Sequence, residues 1–115
     1  MAAQDAFAPF INALPALDIP FPPDVVQARA VASDDGLVAF LTFLQDMELP
    51  EHAHGAQWGT VVAGRITLTI GGDTRDYGPG DSYSIPAGVP HGARIVAGTR
   101  VIDVFEEADR YAPIR

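Results

Sequence analysis

The chain has 115 residues, of which 48% are hydrophobic, and its seven basic and fifteen acidic side chains give a formal net charge of −8. This length predicts one domain with one hydrophobic core, and the negative charge argues against nucleic-acid and anionic membrane partners. Because cysteine is absent, disulfides and thiolate metal ligands are excluded. No basic segment with a long apolar stretch opens the sequence, so we expect a cytoplasmic protein without a membrane span.

The N-terminal residues predict an arm, residues 1–18, ahead of a β-rich domain formed by residues 19–115. Proline near the start and the end of the arm favours a short helix or an irregular segment that covers the edge of a barrel. Residues 20–23 are rich in proline and predict an extended linker. The apolar residues of the arm recur at helical spacing: Phe7, Phe10, Ile11, Leu14 and Leu17.

Strand and turn signals follow at short intervals from residue 25 onward. The nearly continuous apolar run 37–44 predicts a strand that is buried on both faces, and residues 71–73 (Gly-Gly-Asp) predict a tight hairpin turn. About eight short strands predict an antiparallel sandwich or small barrel. The clearest of them are 25–31, 37–44, 58–62, 65–70, 82–85, 91–96 and 100–105.

The chain has three histidines, and their spacing predicts one metal site. His52 and His54 form a His-x-His pair, which on a β-strand places both imidazoles on the same face. His91 follows a rigid loop, residues 86–90, and begins a further strand. Gln57 offers an amide oxygen as a fourth ligand. Since imidazole-rich sites accept several ions, we expect one divalent metal, with zinc, nickel, iron and manganese all open.

Two segments resemble the sequence motifs of the cupin superfamily. In the first, a His-x-His pair and a Gln precede a Gly six residues further on; in the second, a Gly is followed after five residues by Pro-x-Gly-x-x-His. The resemblance implies an all-β, antiparallel double-stranded β-helix (jelly-roll barrel) and a metal site of His52, His54, Gln57 and His91. The family usually has glutamate where Gln57 stands, and Gly55 is expected to form a bulge that turns Gln57 toward the site. The other matching residues are Gly64, Gly80, Pro86 and Gly88.

Asp103 is the candidate catalytic residue. In small cupins that open unsaturated uronates derived from pectin and alginate, an Asp-x-Phe pair at this place is implicated in catalysis, and Asp103 and Phe105 resemble it. A carboxylate that faces the barrel interior would be a general acid or base. The sequence also allows Asp103 to lie on the solvent face of an edge strand whose side chains alternate between core and solvent. The neighbouring Glu106 and Glu107 are interpreted as a solvated tail.

Three functions remain open. Neutral ligands leave the charge of a divalent ion uncompensated, which favours Lewis-acid catalysis of lyase or isomerase type on a small carboxylate or sugar acid. The alternatives are a metal-dependent dioxygenase of a small organic substrate and a non-catalytic binding or sensor module. We expect a small, anionic ligand and a symmetric homodimer joined through sheet edges or the arm.

Overall fold

The computed structural model describes residues 7–113, whose regular secondary structure is almost entirely β-strand. The expected all-β, antiparallel fold is therefore confirmed. In chain order the elements are α1 (Pro9–Asn12), β1 (Leu17–Asp18), β2 (Val26–Ser33), β3 (Gly36–Phe43), β4 (Met47–His52), β5 (Gln57–Ala63), β6 (Ile66–Ile70), β7 (Asp73–Tyr77), β8 (Ser82–Ile85), β9 (His91–Ile95), β10 (Arg100–Phe105) and β11 (Ala112–Pro113).

Two antiparallel sheets enclose the core. One has five strands in the order β2-β3-β10-β5-β8, and the other has four in the order β4-β9-β6-β7. Side chains from both sheets, such as Leu41 and Val101 from the first and Leu68 and Ile95 from the second, belong to one buried hydrophobic cluster. The short strands β1 and β11 pair with each other. The arrangement is that of a jelly-roll barrel.

Strand β3 alternates between the inside and the outside of the barrel. Its inward side chains, which include Leu37 and Ala39, are 0–8% exposed, whereas outward ones such as Val38 and Phe40 are only half-buried. The prediction of a strand buried on both faces is therefore wrong. The apolar run reflects a core on one side and an apolar outer surface on the other.

The predicted turns are confirmed where glycine permits positive φ. Gly71 (φ 56°) and Gly72 (φ 84°) connect β6 and β7 as the expected hairpin turn. The loop 86–90 ends where β9 begins at His91. Strand β7 is polar along nearly its whole length and gives no hydrophobic alternation, so only its pairing with β6 reveals it.

The first described residues form a short helix and a segment along the outer strand β2. Of the apolar residues of the arm, Phe7 and Leu17 are buried while Phe10 is 75% exposed. The segment pairs with β2 through a bridge between Ala16 and Arg29. The division at residue 18 stays a prediction. In the described part of the chain, no helix has the length and hydrophobicity that a membrane span requires.

Candidate metal centre

The three histidines meet at one end of the four-stranded sheet. His52 ends β4 and pairs directly with His91, the first residue of β9. Their rings lie 4.3 Å apart between centroids, and the His54 ring lies 4.8 Å from His91 and 5.3 Å from His52. Ligand nitrogens of all three lie within 4.8 Å of one another. The three residues form a group that could hold a metal ion, as the sequence predicts.

The route by which His54 reaches this group differs from the prediction. His54 lies beyond the end of β4, in the loop of residues 53–56, so the two imidazoles do not share one face of a strand. The expected bulge at Gly55 is also wrong, because the irregularity in the β4–β9 ladder lies between Leu49 and His52. A loop, and not strand alternation, directs His54 toward the other two rings.

Each imidazole is oriented by a backbone carbonyl. The Nδ1 atoms of His52, His54 and His91 lie 2.9, 2.8 and 2.9 Å from backbone carbonyl oxygens of residues one or two positions away in the sequence. A carbonyl oxygen can only accept a hydrogen bond, so each Nδ1 carries the proton and each Nε2 keeps its lone pair. Outer contacts of this kind orient histidine ligands in metal sites. The three carbonyls belong to Pro50, Gly55 and Val89.

The distance between two of these Nε2 atoms fits a shared ion. His54 Nε2 and His91 Nε2 are 3.2 Å apart, yet with Nδ1 protonated on both rings neither has a hydrogen to donate. Two nitrogens bound to one ion at about 2.1 Å are separated by about 3.0–3.4 Å for angles between octahedral and tetrahedral. A cation bound by both nitrogens would remove the repulsion between their lone pairs. These residues therefore fit a divalent metal.

The electrostatics of the site keep two of the imidazoles neutral. Burial lowers the pKa of His54 and of His91 below 6.5, and the positive charge of Arg110 lowers both further. The hydrogen bonds to Gly55 and Val89 work in the opposite direction but are the smaller effect. Since only neutral imidazole binds a metal, the site is prepared for an ion at neutral pH.

Gln57 begins β5 and lines the same cavity. Its side chain hydrogen-bonds to Asp103. An ionised carboxylate can only accept, so the amide NH₂ of Gln57 is the donor and its oxygen remains for another partner. Ligation of a metal by Gln57 stays a prediction that this orientation supports.

Asp103 faces the interior of the barrel. It is 6% exposed, and Tyr83 Oη donates to its Oδ1 over 2.6 Å. Burial raises the pKa of Asp103 to about 6, although the hydrogen bonds from Tyr83 and Gln57 lower it. Burial also raises the pKa of the Tyr83 hydroxyl well above 10. A Cβ atom at Gly59 would overlap both the Asp103 carboxylate and the Tyr83 ring, so glycine makes room for this pair.

Glu106 and Glu107 hold the loop that carries His54. Glu107 Oε1 accepts the Gly55 N–H at 2.7 Å, and Glu106 Oε2 accepts the Ala56 N–H at 2.6 Å. Glu107 Oε1 also lies 3.8 Å from His54 Nδ1. A side chain at Gly55 would collide with both glutamates. The interpretation of these residues as a solvated tail is therefore wrong. No local pattern indicates the contact, because 50 and 52 residues separate the bonded partners along the chain.

The cavity has a cationic group that the sequence did not single out. Its volume is about 230 Å³, and Arg110 and Tyr111 line it together with the histidines, Gln57 and Asp103. The Arg110 guanidinium lies 4.6 Å from the centre of the Tyr111 ring. Within residues 7–113, its buried Nε has no hydrogen-bond partner. No spacing signal links Arg110 to the histidine motifs, so only the fold reveals it.

The comparisons with known proteins identify the family. Residues 42–105, more than half of the chain, match the model described as a cupin domain. The chain therefore belongs to the cupin family. No curated protein sequence matches it.

Solved structures agree on the fold. An RmlC-like cupin from Shewanella frigidimarina NCIMB 400 is 22% identical over 96% of this chain and 97% of its own, with a TM-score of 0.75. KdgF from Halomonas sp. is 26% identical over 86% of both chains, with a TM-score of 0.67. Oxalate decarboxylase from Bacillus subtilis is 23% identical over 74% of this chain but only 26% of its own, with a TM-score of 0.65. That enzyme has Mn(II) centres.

Proposed function

We propose that this cupin is an enzyme that binds one divalent ion and performs Lewis-acid catalysis of lyase or isomerase type on a small carboxylate-bearing molecule, such as a sugar acid. The observation that carries the proposal is that Asp103, a buried carboxyl with a pKa near 6, lines the same cavity as the three histidines. A group that titrates near neutral pH can both accept and return a proton.

His52, His54 and His91 would hold the ion, with Gln57 as the fourth ligand. The donor set is three neutral imidazoles and one neutral amide, a combination that suits zinc, nickel, iron or manganese. When bound, such an ion supplies a positive charge that polarises a substrate oxygen and stabilises negative charge on it. The chain then has to orient the substrate and move a proton.

Asp103 is the residue that moves the proton. Its carboxyl is shielded from solvent, and Tyr83 from β8 and Gln57 from β5 hold it through hydrogen bonds. A fixed carboxylate beside the substrate removes a proton from the carbon next to the polarised group and returns it elsewhere. The Tyr83 hydroxyl stays protonated, so its role is to position Asp103.

Arg110 supports an anionic substrate. Its guanidinium lowers the pKa of His54 and His91, so its charge acts on two of the three histidines. The unpaired Nε within the described cavity offers a donor for a carboxylate, which guanidinium groups bind well. At the cavity, this nearby positive charge has more effect on a substrate carboxylate than the net charge of −8 does. Salt screens charges that lie farther away than roughly 8 Å.

The uronate resemblance narrows the substrate class. Asp103 and Phe105 match the Asp-x-Phe pair of small cupins that open unsaturated uronates, and Phe105 lies beside His54 with ring centroids 5.7 Å apart. A sugar acid carries both the carboxylate that Arg110 can bind and oxygens that can reach the ion. The dioxygenase and binding-module alternatives require no proton-transfer residue in the cavity, so Asp103 favours catalysis without oxygen.

Two measurements test the proposal. Protein purified without chelator should contain about one divalent ion per chain, whereas His52→Ala should contain little and Gln57→Ala an intermediate amount. Equal metal content in the wild type and in His52→Ala would refute the metal site.

The second measurement is turnover of an unsaturated uronate. Asp103→Asn should keep its metal and lose roughly 10²–10⁴-fold in turnover. Unchanged turnover in this variant would exclude Asp103 as the proton-transfer group, and no turnover of any sugar acid by the metal-loaded wild type would favour a binding module.

The cytoplasmic location also stays a prediction, which fractionation of cells checks.

A further inference from the structure

The cavity that holds the histidines changes from polar to apolar along the strands of the four-stranded sheet. On β9, His91, Ala93 and Ile95 line it in turn. On the neighbouring strand β6, Leu68 pairs with Ala93 and Ile66 pairs with Ile95, and both side chains line the cavity. Because a strand rises about 3.3 Å per residue, Ile95 lies about 13 Å from His91 along β9. This wall is therefore hydrocarbon from its second lining position onward.

The five-stranded sheet shows the same change in the same direction. On β10, Phe105, Asp103 and Val101 line the cavity in turn, and Leu41 on β3 pairs with Val101 and also lines it. The Phe105 ring lies 5.7 Å from the His54 ring, so the Phe105 end of β10 is at the histidine end of the cavity. Both sheets thus have their polar groups at one end of the cavity and hydrocarbon side chains at the other.

The remaining polar side chains of the cavity also lie at the histidine end. Tyr83 donates its hydrogen bond to Asp103, and the Tyr111 ring packs against the Phe105 ring with Arg110 over its other contacts. Apart from these groups and the proposed metal ligands, the side chains that line the cavity within residues 7–113 contain no nitrogen or oxygen atom. The far part of the cavity is its apolar end.

The apolar end is completed by strand β4 and by the proline-rich segment before β2. Leu49 on β4 pairs with Ala93, and Ile19 and Phe21 line the same cavity. All four of these side chains are only partly buried, so their surface is available to a ligand. A ligand methylene gains free energy when it leaves water for such a wall. A ligand hydroxyl loses its hydrogen bonds to water and finds no side-chain partner there.

We propose that the apolar end is a subsite for a hydrocarbon group, and that the substrate is a small acid whose oxygens are confined to its carboxylate end. An α-hydroxy or α-oxo acid with an alkyl remainder has this form. The inference rests on the proposed function, since it places the carboxylate and the adjacent oxygen beside the histidines and Arg110. It narrows the sugar-acid example given above, because a hydroxyl on every carbon would leave several hydroxyls without partners at the apolar end.

A series of α-hydroxy acids of increasing length tests the subsite. Isothermal titration of zinc-loaded protein with lactate, α-hydroxybutyrate, α-hydroxyvalerate and α-hydroxycaproate compares ligands that share one chelating end. Affinity should rise by about 4-fold for each methylene, or roughly 60-fold from lactate to α-hydroxycaproate. Gluconate has the same carbon chain as α-hydroxycaproate with a hydroxyl on every further carbon, and it should bind no more tightly than lactate.

Two variants should move the chain-length limit in opposite directions. Ala93→Leu fills the wall between His91 and Ile95, so the gain should end at a shorter acid. Leu49→Ala enlarges the same region, so the gain should continue to longer acids than in the wild type. Leu44→Ala is the control, because Leu44 is 42% exposed and does not line the cavity. Zinc titration shows that each variant keeps its metal site, and general destabilisation cannot produce opposite shifts. If Ala93→Leu does not fold, Leu49→Ala decides.

The outcomes separate this inference from the proposed function. Equal affinities for lactate and α-hydroxycaproate, or gluconate binding as tightly as α-hydroxycaproate, overturn the apolar subsite and leave the proposed metal and carboxylate sites standing. A chain-length limit that Leu49→Ala leaves unchanged also overturns it. If no acid binds to the zinc-loaded protein, the inference and the proposed carboxylate site fail together, and the zinc titration shows whether the metal site stands alone.

Discussion

Replacing Asp103 by Asn should stabilise the metal-free protein, and the gain should grow with pH. The folded protein holds the Asp103 proton more tightly than the unfolded chain does, because burial raises the pKa from 3.8 to about 6. The carboxyl therefore favours the folded state at low pH, and this contribution is lost as the pH rises through the folded pKa. Asn has the same shape and cannot ionise, so the variant avoids the cost of a buried charge.

The size of the effect follows from the two pKa values. With 1.36 kcal/mol for each pKa unit, ionisation of Asp103 costs the folded state about 1 kcal/mol at pH 4.5 and about 3 kcal/mol at pH 7.5. The difference in free energy of unfolding between Asp103→Asn and the wild type should therefore widen by about 2 kcal/mol over this range. A residue that lowers stability at neutral pH is typical of a functional site.

Urea denaturation of chelator-treated protein at several pH values measures this difference. Asp34→Asn, in the turn between β2 and β3 where Asp34 is exposed, is the control for the loss of one negative charge and should show no comparable widening. A constant difference between Asp103→Asn and the wild type from pH 4.5 to 7.5 would mean that the carboxyl does not titrate as a buried group. The role assigned to Asp103 would then lose its electrostatic basis.

Two further predictions concern residues that support the site. Glu107→Ala should lower metal affinity about 10–100-fold, because it removes the hydrogen bond to Gly55 N–H and frees the loop that carries His54. Isothermal titration with zinc measures this affinity. Glu107→Gln keeps an acceptor oxygen and should recover part of the loss. Gly59→Ala should destabilise the protein by about 1–3 kcal/mol, since its Cβ would overlap the Asp103–Tyr83 pair. Thermal unfolding tests it against Gly78→Ala, where a Cβ meets nothing within 4 Å, and equal effects of the two changes would contradict the steric argument.

The sequence determined the β-architecture and the membership of the histidine group. Glycine turns, such as Gly71-Gly72, and strands with one apolar face are local signals that depend on nearby residues alone. The His-x-His pair and the Pro-x-Gly-x-x-His loop likewise predicted the histidine group. Local signals failed where an element is polar along its length, as β7 is, because no burial pattern then marks it.

The tertiary structure decided which way Asp103 faces and which residues surround the metal centre. In β10 the side chains on both faces are apolar except Asp103 and Arg100, so alternation alone could not assign the carboxylate to the interior. Glu107 reaches Gly55 across 52 residues, and Tyr83 reaches Asp103 across 20. Contacts of this length depend on strand order, which brings β10 between β3 and β5. A sequence pattern records the period of a strand, but only the assembled sheets determine which neighbours its side chains meet.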